Sequence, residues 1–366
     1  MKPNKNIQSF PIFIDGKFHE NNTDIFPSLN PHNEEIWATF SVAGKSEVDL
    51  AIAAARRCLN EGEWPKMLAS DRGKLLLKLA DLIELHANEI GKIETNDSGK
   101  LLAETATQTQ YVAEYYRYFA GLADKIQGST LPIDKPDMHV FTSCEPIGVV
   151  AAVVPWNAQM FLTATKLAPA LAAGCTIIIK ASEIAPCSLL YFARLIKEAG
   201  IPDGVVSVIT GDEKNCAIPL TTHPDIDRIA FTGGPKVAKQ IVINSSENFA
   251  VTTLELGGKS PIVVFEDADI EGAVNGIIAG NYGASGQSCV AGTRVIVHDS
   301  IKKELIEMLS KRAESIVTGD PKNNDTHVGP LCTNKQIKLI EKTLKKAQSE
   351  GAKIVFGGSR LNQKGY

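Results

Sequence analysis

The feature that most constrains the fold is a rhythm that begins at residue 149. Val149-Val150-Ala151-Ala152-Val153-Val154 is an unbroken apolar run that Pro155 ends. Such a run suits a parallel strand covered on both faces, because crossover helices bury both sides of a parallel sheet. A helical stretch follows up to Ala173, with Gly174 placed as its C-cap. The cycle repeats through Thr176-Ile177-Ile178-Ile179, a helix ending before Gly200, Val205-Val206-Ser207-Val208-Ile209, a short helix, Arg228-Ile229-Ala230-Phe231, and a helix from Pro235. This alternation predicts a doubly wound α/β sheet, whose ligands bind outside the carboxyl ends of its strands.

A second α/β series follows, with Ile262-Val263-Val264-Phe265, a helix from Asp269, Val295-Ile296-Val297, a helix from Ser300, a helix near Gln336 to Gln348, and a strand at Ile354-Val355-Phe356. Ahead of the main rhythm, Ile12 to Phe18 reads as a hairpin turned by Asp15-Gly16. Ser46 and Asp49 stand at capping-box spacing before a helix carrying Val48, Ala51, Ile52, Ala55 and Leu59. A second helix from Ser70 places Leu75, Leu76, Leu79, Leu82, Ile83 and Ile90 on one face, and a third spans about Ala103 to Ala123, so the first third reads as mainly helical. Residues 128–145, with Pro132 and Pro136, read as an arm leaving the body.

The 366 residues, 44% of them hydrophobic, suffice for about two domains. A net charge of -4 without a long Lys/Arg block argues against nucleic acid and anionic membrane as partners. The seven cysteines are scattered, with no Cys-x-x-Cys spacing, so neither a disulfide framework nor a metal site is expected. No apolar stretch reaches membrane-spanning length and no signal-peptide pattern follows Met1, which together imply a cytoplasmic protein.

The strand ends carry the candidate chemistry. Asn157, in Pro155-Trp156-Asn157, offers either an amide donor for a developing oxyanion or a helix N-cap. Lys180, Ser182 and Glu183 offer a grip on ribose hydroxyls, or a solvated ion pair at a strand end. Phe231-Thr232-Gly233-Gly234-Pro235 presents backbone amides and a helix start to a pyrophosphate, or simply makes a turn. Glu255, in Leu254-Glu255-Leu256-Gly257-Gly258-Lys259-Ser260-Pro261, is a general base or an exposed carboxylate. Cys289, in Gly286-Gln287-Ser288-Cys289, is a nucleophile with open approach or a small core residue.

Taken together and in this order, these motifs resemble the aldehyde dehydrogenase superfamily, and the resemblance runs from the N-terminal hairpin to Tyr366. It implies an NAD-dependent, non-acylating enzyme with a doubly wound NAD-binding domain, an α/β catalytic domain and a protruding oligomerisation arm. The divisions expected are 1–127 for the N-terminal helical part, 128–145 for the arm, 146–256 for the Rossmann-like core and 257–366 for a C-terminally incomplete catalytic domain. Cys289 would be the nucleophile, Glu255 the base, and Asn157 with the Cys289 N–H the oxyanion hole. Lys166 matches a lysine near the family's catalytic centre, with a helix-surface lysine as the other reading. Cofactor contacts are implied for Pro155, Trp156, Asn157, Lys180, Ser182, Glu183, Gly211, Phe231, Thr232, Gly233, Gly234, Val237, Glu255, Leu256, Gly257 and Cys289.

The implied reaction takes a small aldehyde to a carboxylic acid through a hemithioacetal and a thioester cleaved by Glu255-activated water. A carboxylate at Glu183 would favour NAD over NADP, by bonding a free ribose hydroxyl and repelling a 2′-phosphate. Tyr111, Tyr115, Phe161 and Tyr282 point to an apolar or aromatic aldehyde, or to ordinary packing. Gly234 stands where the family usually has Ser, and Ala238 where a second glycine is common. Family members continue past Tyr366 with a Glu-x-Phe-Gly-Pro segment and a strand that pairs with the arm in homodimers or homotetramers, so the resemblance implies a truncated chain. Two other readings remain: an inactive remnant that binds NAD or a partner subunit, and a coenzyme A-acylating relative, against which the retained Glu255 argues.

Overall fold

The computed structural model describes residues 7–20 and 25–366. The chain opens with β1 (Gln8–Phe10), β2 (Ile12–Ile14), β3 (Lys17–His19), β4 (Ile25–Leu29) and β5 (Ile36–Ser41). β2 and β3 form the expected antiparallel hairpin, with Asp15 and Gly16 at left-handed φ of 50° and 71°. β1, β5 and β4 make a separate three-stranded sheet, so the first third is not only helical.

Four helices follow, α1 (Lys45–Glu61), α2 (Ala69–Leu85), α3 (Ala87–Ser98) and α4 (Leu102–Leu122). The cap of α1 is Gly44, whose N–H donates to the Glu47 carboxylate at 2.8 Å, two residues before the Ser46–Asp49 pairing. The helix expected from Ser70 through Ile90 is two helices. The chain bends at His86 (φ -97°, ψ 11°), and Ile90 is buried on α3. The arm holds β6 (Thr130–Leu131) paired antiparallel with β7 (Val140–Phe141), most of its residues exposed.

The βα rhythm runs as read: β8 (Val149–Val153), α5 (Gln159–Ala173), β9 (Thr176–Ala181), α6 (Cys187–Ala199), β10 (Val206–Thr210), α7 (Ile218–Thr222), β11 (Arg228–Gly233), α8 (Pro235–Ser245) and β12 (Val251–Leu256). Gly174 and Gly200 close α5 and α6 in the left-handed conformation, at φ 88° and 83°. The sheet order is β12-β11-β8-β9-β10-β2-β3, with five parallel strands extended by the hairpin. Helix α1 packs on β8, β9 and β10 and against α7, which meets α8; α5 and α6 pack on the sheet and against α2. Burial of Ile177, Ile178, Ile179, Val208 and Ile229, all fully enclosed, explains why these strands carry no polar alternation.

The register sets Val153 beside Lys180 and Phe231, Thr232 beside Glu255, and Ala181 beside Thr210. The segments that follow β8, β9, β10, β11 and β12 therefore leave from one edge of the sheet.

The later series contains β13 (Pro261–Val264), α9 (Ile270–Tyr282), β14 (Arg294–Val297), α10 (Lys302–Glu314) and α11 (Asn334–Ser349). β13 and β14 pair in parallel, over a small core of Val274, Ile277 and Leu305. Ile354-Val355-Phe356 is not a strand; these side chains are exposed, and among the described residues no strand pairs with them. Among the described residues no helix is long and apolar enough to cross a membrane.

Candidate active site

After β8, Pro155, Trp156 and Asn157 lead into α5, whose N-cap is Ala158. Asn157 therefore does not cap the helix. Its amide Nδ2 donates to the backbone carbonyl of Gln287 at 2.8 Å, which fastens this strand end to the loop that bears Cys289.

After β9, Lys180 Nζ and Glu183 Oε2 pair at 2.9 Å, with the lysine buried and the carboxylate half exposed. Ser182 Oγ accepts the Ile184 N–H at 3.3 Å. After β10, a Cβ on Gly211 would lie 2.6 Å from the Ala43 carbonyl oxygen, so the chain passes there only as glycine. After β11, Gly233 lies under the Phe231 ring, where a Cβ would come within 2.4 Å of it. Gly234, the N-cap of α8, meets nothing within 4 Å, and Val237 in the first turn of α8 is exposed. The open backbone at Gly234 and the start of an eleven-residue helix suit a phosphate group, and the Lys180–Glu183 pair suits a ribose. The residues present thus fit a dinucleotide.

Glu255 and Leu256 end β12, followed by Gly257 and Gly258, neither with a neighbour within 4 Å of a built Cβ. Cys289 comes from the other side, after α9. Between them Ala284, Ser285 and Gly286 are all left-handed, at φ 52°, 55° and 70°. Two non-glycine residues in succession in that region are uncommon and mark a strained turn. Cys289 emerges exposed from it.

The two sides meet at a cavity of about 720 Å³. Lys166, Thr232, Glu255 and Cys289 belong to its polar wall, with Glu145, Arg228 and Thr253; Tyr115, Phe161, Leu162, Phe231, Leu256 and Val290 belong to its apolar wall. Lys166 is buried, its Nζ donating to Thr232 Oγ1 at 2.6 Å and to the Leu162 carbonyl at 3.4 Å, which removes the helix-surface reading. Burial pushes its pKa down to about 8, against the pull of the nearby Glu255 carboxylate. Of the four aromatic candidates, Tyr115 and Phe161 line the cavity. Tyr111 reaches only the Phe161 ring, at 6.5 Å between centroids, and Tyr282 lines a different cavity with Glu104 and His327.

Two hydrogen bonds that the sequence reading did not supply hold the Cys289 loop. The Ala284 N–H donates to Glu104 Oε1 at 3.2 Å, and the Cys332 N–H donates to Gln287 Oε1 at 3.0 Å. Gln287 lies inside the Gly-Gln-Ser-Cys motif and was thus visible as a motif residue; nothing in the sequence marks Glu104.

Comparison with known proteins gives a consistent picture. The sequence model described as the aldehyde dehydrogenase family matches residues 18–366. A dehydrogenase of Acinetobacter baylyi named for (Z)-2-((N-methylformamido)methylene)-5-hydroxybutyrolactone is 51% identical over 98% of this chain and 74% of its own length. Aldehyde dehydrogenase 1 of Tanacetum cinerariifolium is 40% identical over 97% of this chain and 72% of its own length. Among solved structures, an NAD+ complex of a Bacillus cereus aldehyde dehydrogenase superposes with a TM-score of 0.96 at 38% identity, covering 98% of this chain and 73% of that one.

Proposed function

The chain belongs to the aldehyde dehydrogenase family, and from that premise we propose that Cys289 and Glu255 carry an NAD-dependent oxidation of an aldehyde to a carboxylic acid. The observation that carries this reading is that Cys289, Glu255 and Lys166 line one cavity at the carboxyl edge of the sheet.

The Cys289 thiolate adds to the aldehyde carbon, and the carbonyl oxygen takes the negative charge. The Cys289 N–H and the Asn157 amide are the donors for that oxygen, and they stabilise charge chiefly once it develops. NAD, when bound, supplies the acceptor for the hydride that the carbon gives up. Lys180, Ser182 and Glu183 would hold its adenosine ribose, with Gly211 allowing close backbone approach. Thr232, Gly233, Gly234 and Val237 would face the pyrophosphate at the start of α8, and Pro155, Trp156, Phe231, Leu256 and Gly257 would border the remainder. Glu255 removes a proton from water, which attacks the resulting thioester carbon and expels the Cys289 thiolate, leaving the carboxylic acid. Lys166, whose pKa burial lowers to about 8, is bonded to Thr232 and keeps this wall polar.

The aromatic faces of Tyr115 and Phe161 suit an apolar or aromatic aldehyde. The Acinetobacter relative is named for a 5-hydroxybutyrolactone, a ring that opens to an aldehyde bearing a carboxyl group, so such an aldehyde acid belongs among the substrates tested.

The same reading divides the chain at 127, 145 and 256 into helical, arm, cofactor and catalytic parts. The arm, with Leu131, Ile133, Met138 and Phe141 exposed, supports assembly as a homodimer or homotetramer. Seven free thiols support a cytoplasmic, reducing setting.

The test is NADH formation by the purified chain with NAD and a panel of aliphatic, aromatic and carboxylated aldehydes, against Cys289→Ala. Loss of all turnover in the variant is expected; equal turnover in both would overturn the assignment of Cys289.

A further inference from the structure

We propose that Gln287 is a positioning residue that locks the Asn157 amide and the Cys289 loop into one unit. The inference rests on the roles given above to Cys289 and Asn157.

Gln287 stands two residues before Cys289 and is held at three of its atoms. Its N–H donates to the Ala284 carbonyl at 3.1 Å, its carbonyl accepts the Asn157 amide at 2.8 Å, and its Oε1 accepts the Cys332 N–H at 3.0 Å. The two outer partners come from distant parts of the chain, 130 residues before Gln287 and 45 after it. Asn157 follows β8, third of the seven strands, whereas Cys332 is buried with its Sγ 3.9 Å from the Asp97 carbonyl oxygen at the end of α3.

The bond to Asn157 orients chemistry, because an amide nitrogen has two hydrogens in one plane. Committing one to the Gln287 carbonyl fixes that plane and directs the second hydrogen, leaving it available to an oxyanion. Nucleophile and donor then share an anchor, so a shift of the loop carries both together.

The bond to Cys332 holds the loop in place. Its preceding turn has Ala284, Ser285 and Gly286 in left-handed conformations, and such a run persists only where surrounding bonds over-determine it. Glu104 secures the front of the turn at the Ala284 N–H, and the Gln287 side chain secures its rear at Cys332. Without the acceptor oxygen the turn is free to relax, and the carbonyl that orients Asn157 moves with it.

The experiment compares wild type, Gln287→Met, Gln287→Glu, Asn157→Ala and the double variant Gln287→Met/Asn157→Ala. Gln287→Met keeps the length of the side chain and removes the acceptor, while Gln287→Glu keeps an acceptor oxygen. The expected result is a kcat lowered about 10- to 100-fold in Gln287→Met, the scale of a small misplacement of reacting groups. KM for NAD and thermal midpoint stay close to wild type, and Gln287→Glu recovers much of the loss. Combined with Asn157→Ala, the Gln287→Met change lowers kcat by less than about 3-fold more, because both act through one donor. Should Gln287→Met not fold, Gln287→Asn, too short to reach Cys332, replaces it. An unchanged kcat in the folded variant, or effects that multiply fully in the double variant, would overturn the inference while leaving the roles of Cys289 and Glu255 intact. A wild type that forms no NADH with any aldehyde removes those roles and the inference with them.

Discussion

Lys166 Nζ donates to Thr232 Oγ1 at 2.6 Å, joining α5 to the end of β11 beneath the cavity that Glu255 and Cys289 line. Its direct partners are a hydroxyl and a carbonyl oxygen, neither of them charged, and burial lowers its pKa to about 8. Below that pH the folded and unfolded chains both hold the proton, and the folded state bears the cost of burying the charge. Between about 8 and the ordinary lysine value only the unfolded chain holds it, so stability rises with pH. Lys166→Met should abolish this rise, changing the wild-type minus variant difference by about 2–3 kcal/mol between pH 7 and 10.5. Urea unfolding of both proteins across that range measures it, and parallel curves would show that the lysine titrates normally.

Glu255→Gln removes the proposed base and keeps the shape of the end of β12. In the proposed mechanism the first half of the reaction does not use this carboxylate, whereas thioester hydrolysis does. Rapid mixing should show a burst of about one NADH per site, followed by a steady state about 10²- to 10⁴-fold slower. A variant with slow formation and no burst would place Glu255 in the first half instead.

Glu183 bears on the choice of dinucleotide. It is half exposed and pairs with buried Lys180 at 2.9 Å. In Glu183→Gln the proposed repulsion toward a 2′-phosphate disappears and Lys180 loses its carboxylate partner. The ratio of kcat/KM for NADP over NAD should rise about 10- to 100-fold, as expected when a juxtaposition of like charges is removed. An unchanged ratio would mean that the ribose lies elsewhere.

Two adjacent glycines should respond differently to the same methyl group. A Cβ on Gly233 comes within 2.4 Å of the Phe231 ring, whereas one on Gly234 meets nothing within 4 Å. Gly233→Ala is expected to cost about 1–3 kcal/mol through overpacking, and Gly234→Ala less than about 1 kcal/mol, as a change confined to a helix cap. Chemical denaturation of the pair reports the order, and equal losses would show that the Phe231 ring yields freely.

The parts of the fold that could be read from sequence are those in which burial leaves a simple trace. β8, β9 and β10 are covered on both faces, and their apolar runs announce a parallel sheet. β4 and β5 carry no such trace: Ile25, Phe26, Leu29 and Ile36 are exposed, and apolar residues on an uncovered surface obscure the alternation. The break between α2 and α3 at His86 has neither glycine nor proline to mark it. Ile354-Val355-Phe356 has the composition of a strand, and among the described residues no strand pairs with it. The site divides along similar lines. Its motifs stand out in the chain, whereas Glu104 meets Ala284 from 180 residues away, a contact only the folded chain can create.

The two margins of the seven-stranded sheet are unequal. One ends in the short hairpin β2–β3, where Lys197 reaches over to the Gly16 carbonyl at 3.0 Å and fastens the turn. The other is β12, whose last two residues are Glu255 and Leu256. Among the described residues the proposed base therefore stands on a boundary strand, with hydrogen-bonded support from β11 on one flank. Any segment that laid a further strand along β12 would stiffen the backbone beneath Glu255, and the mobility of this carboxylate would then depend on what borders the sheet.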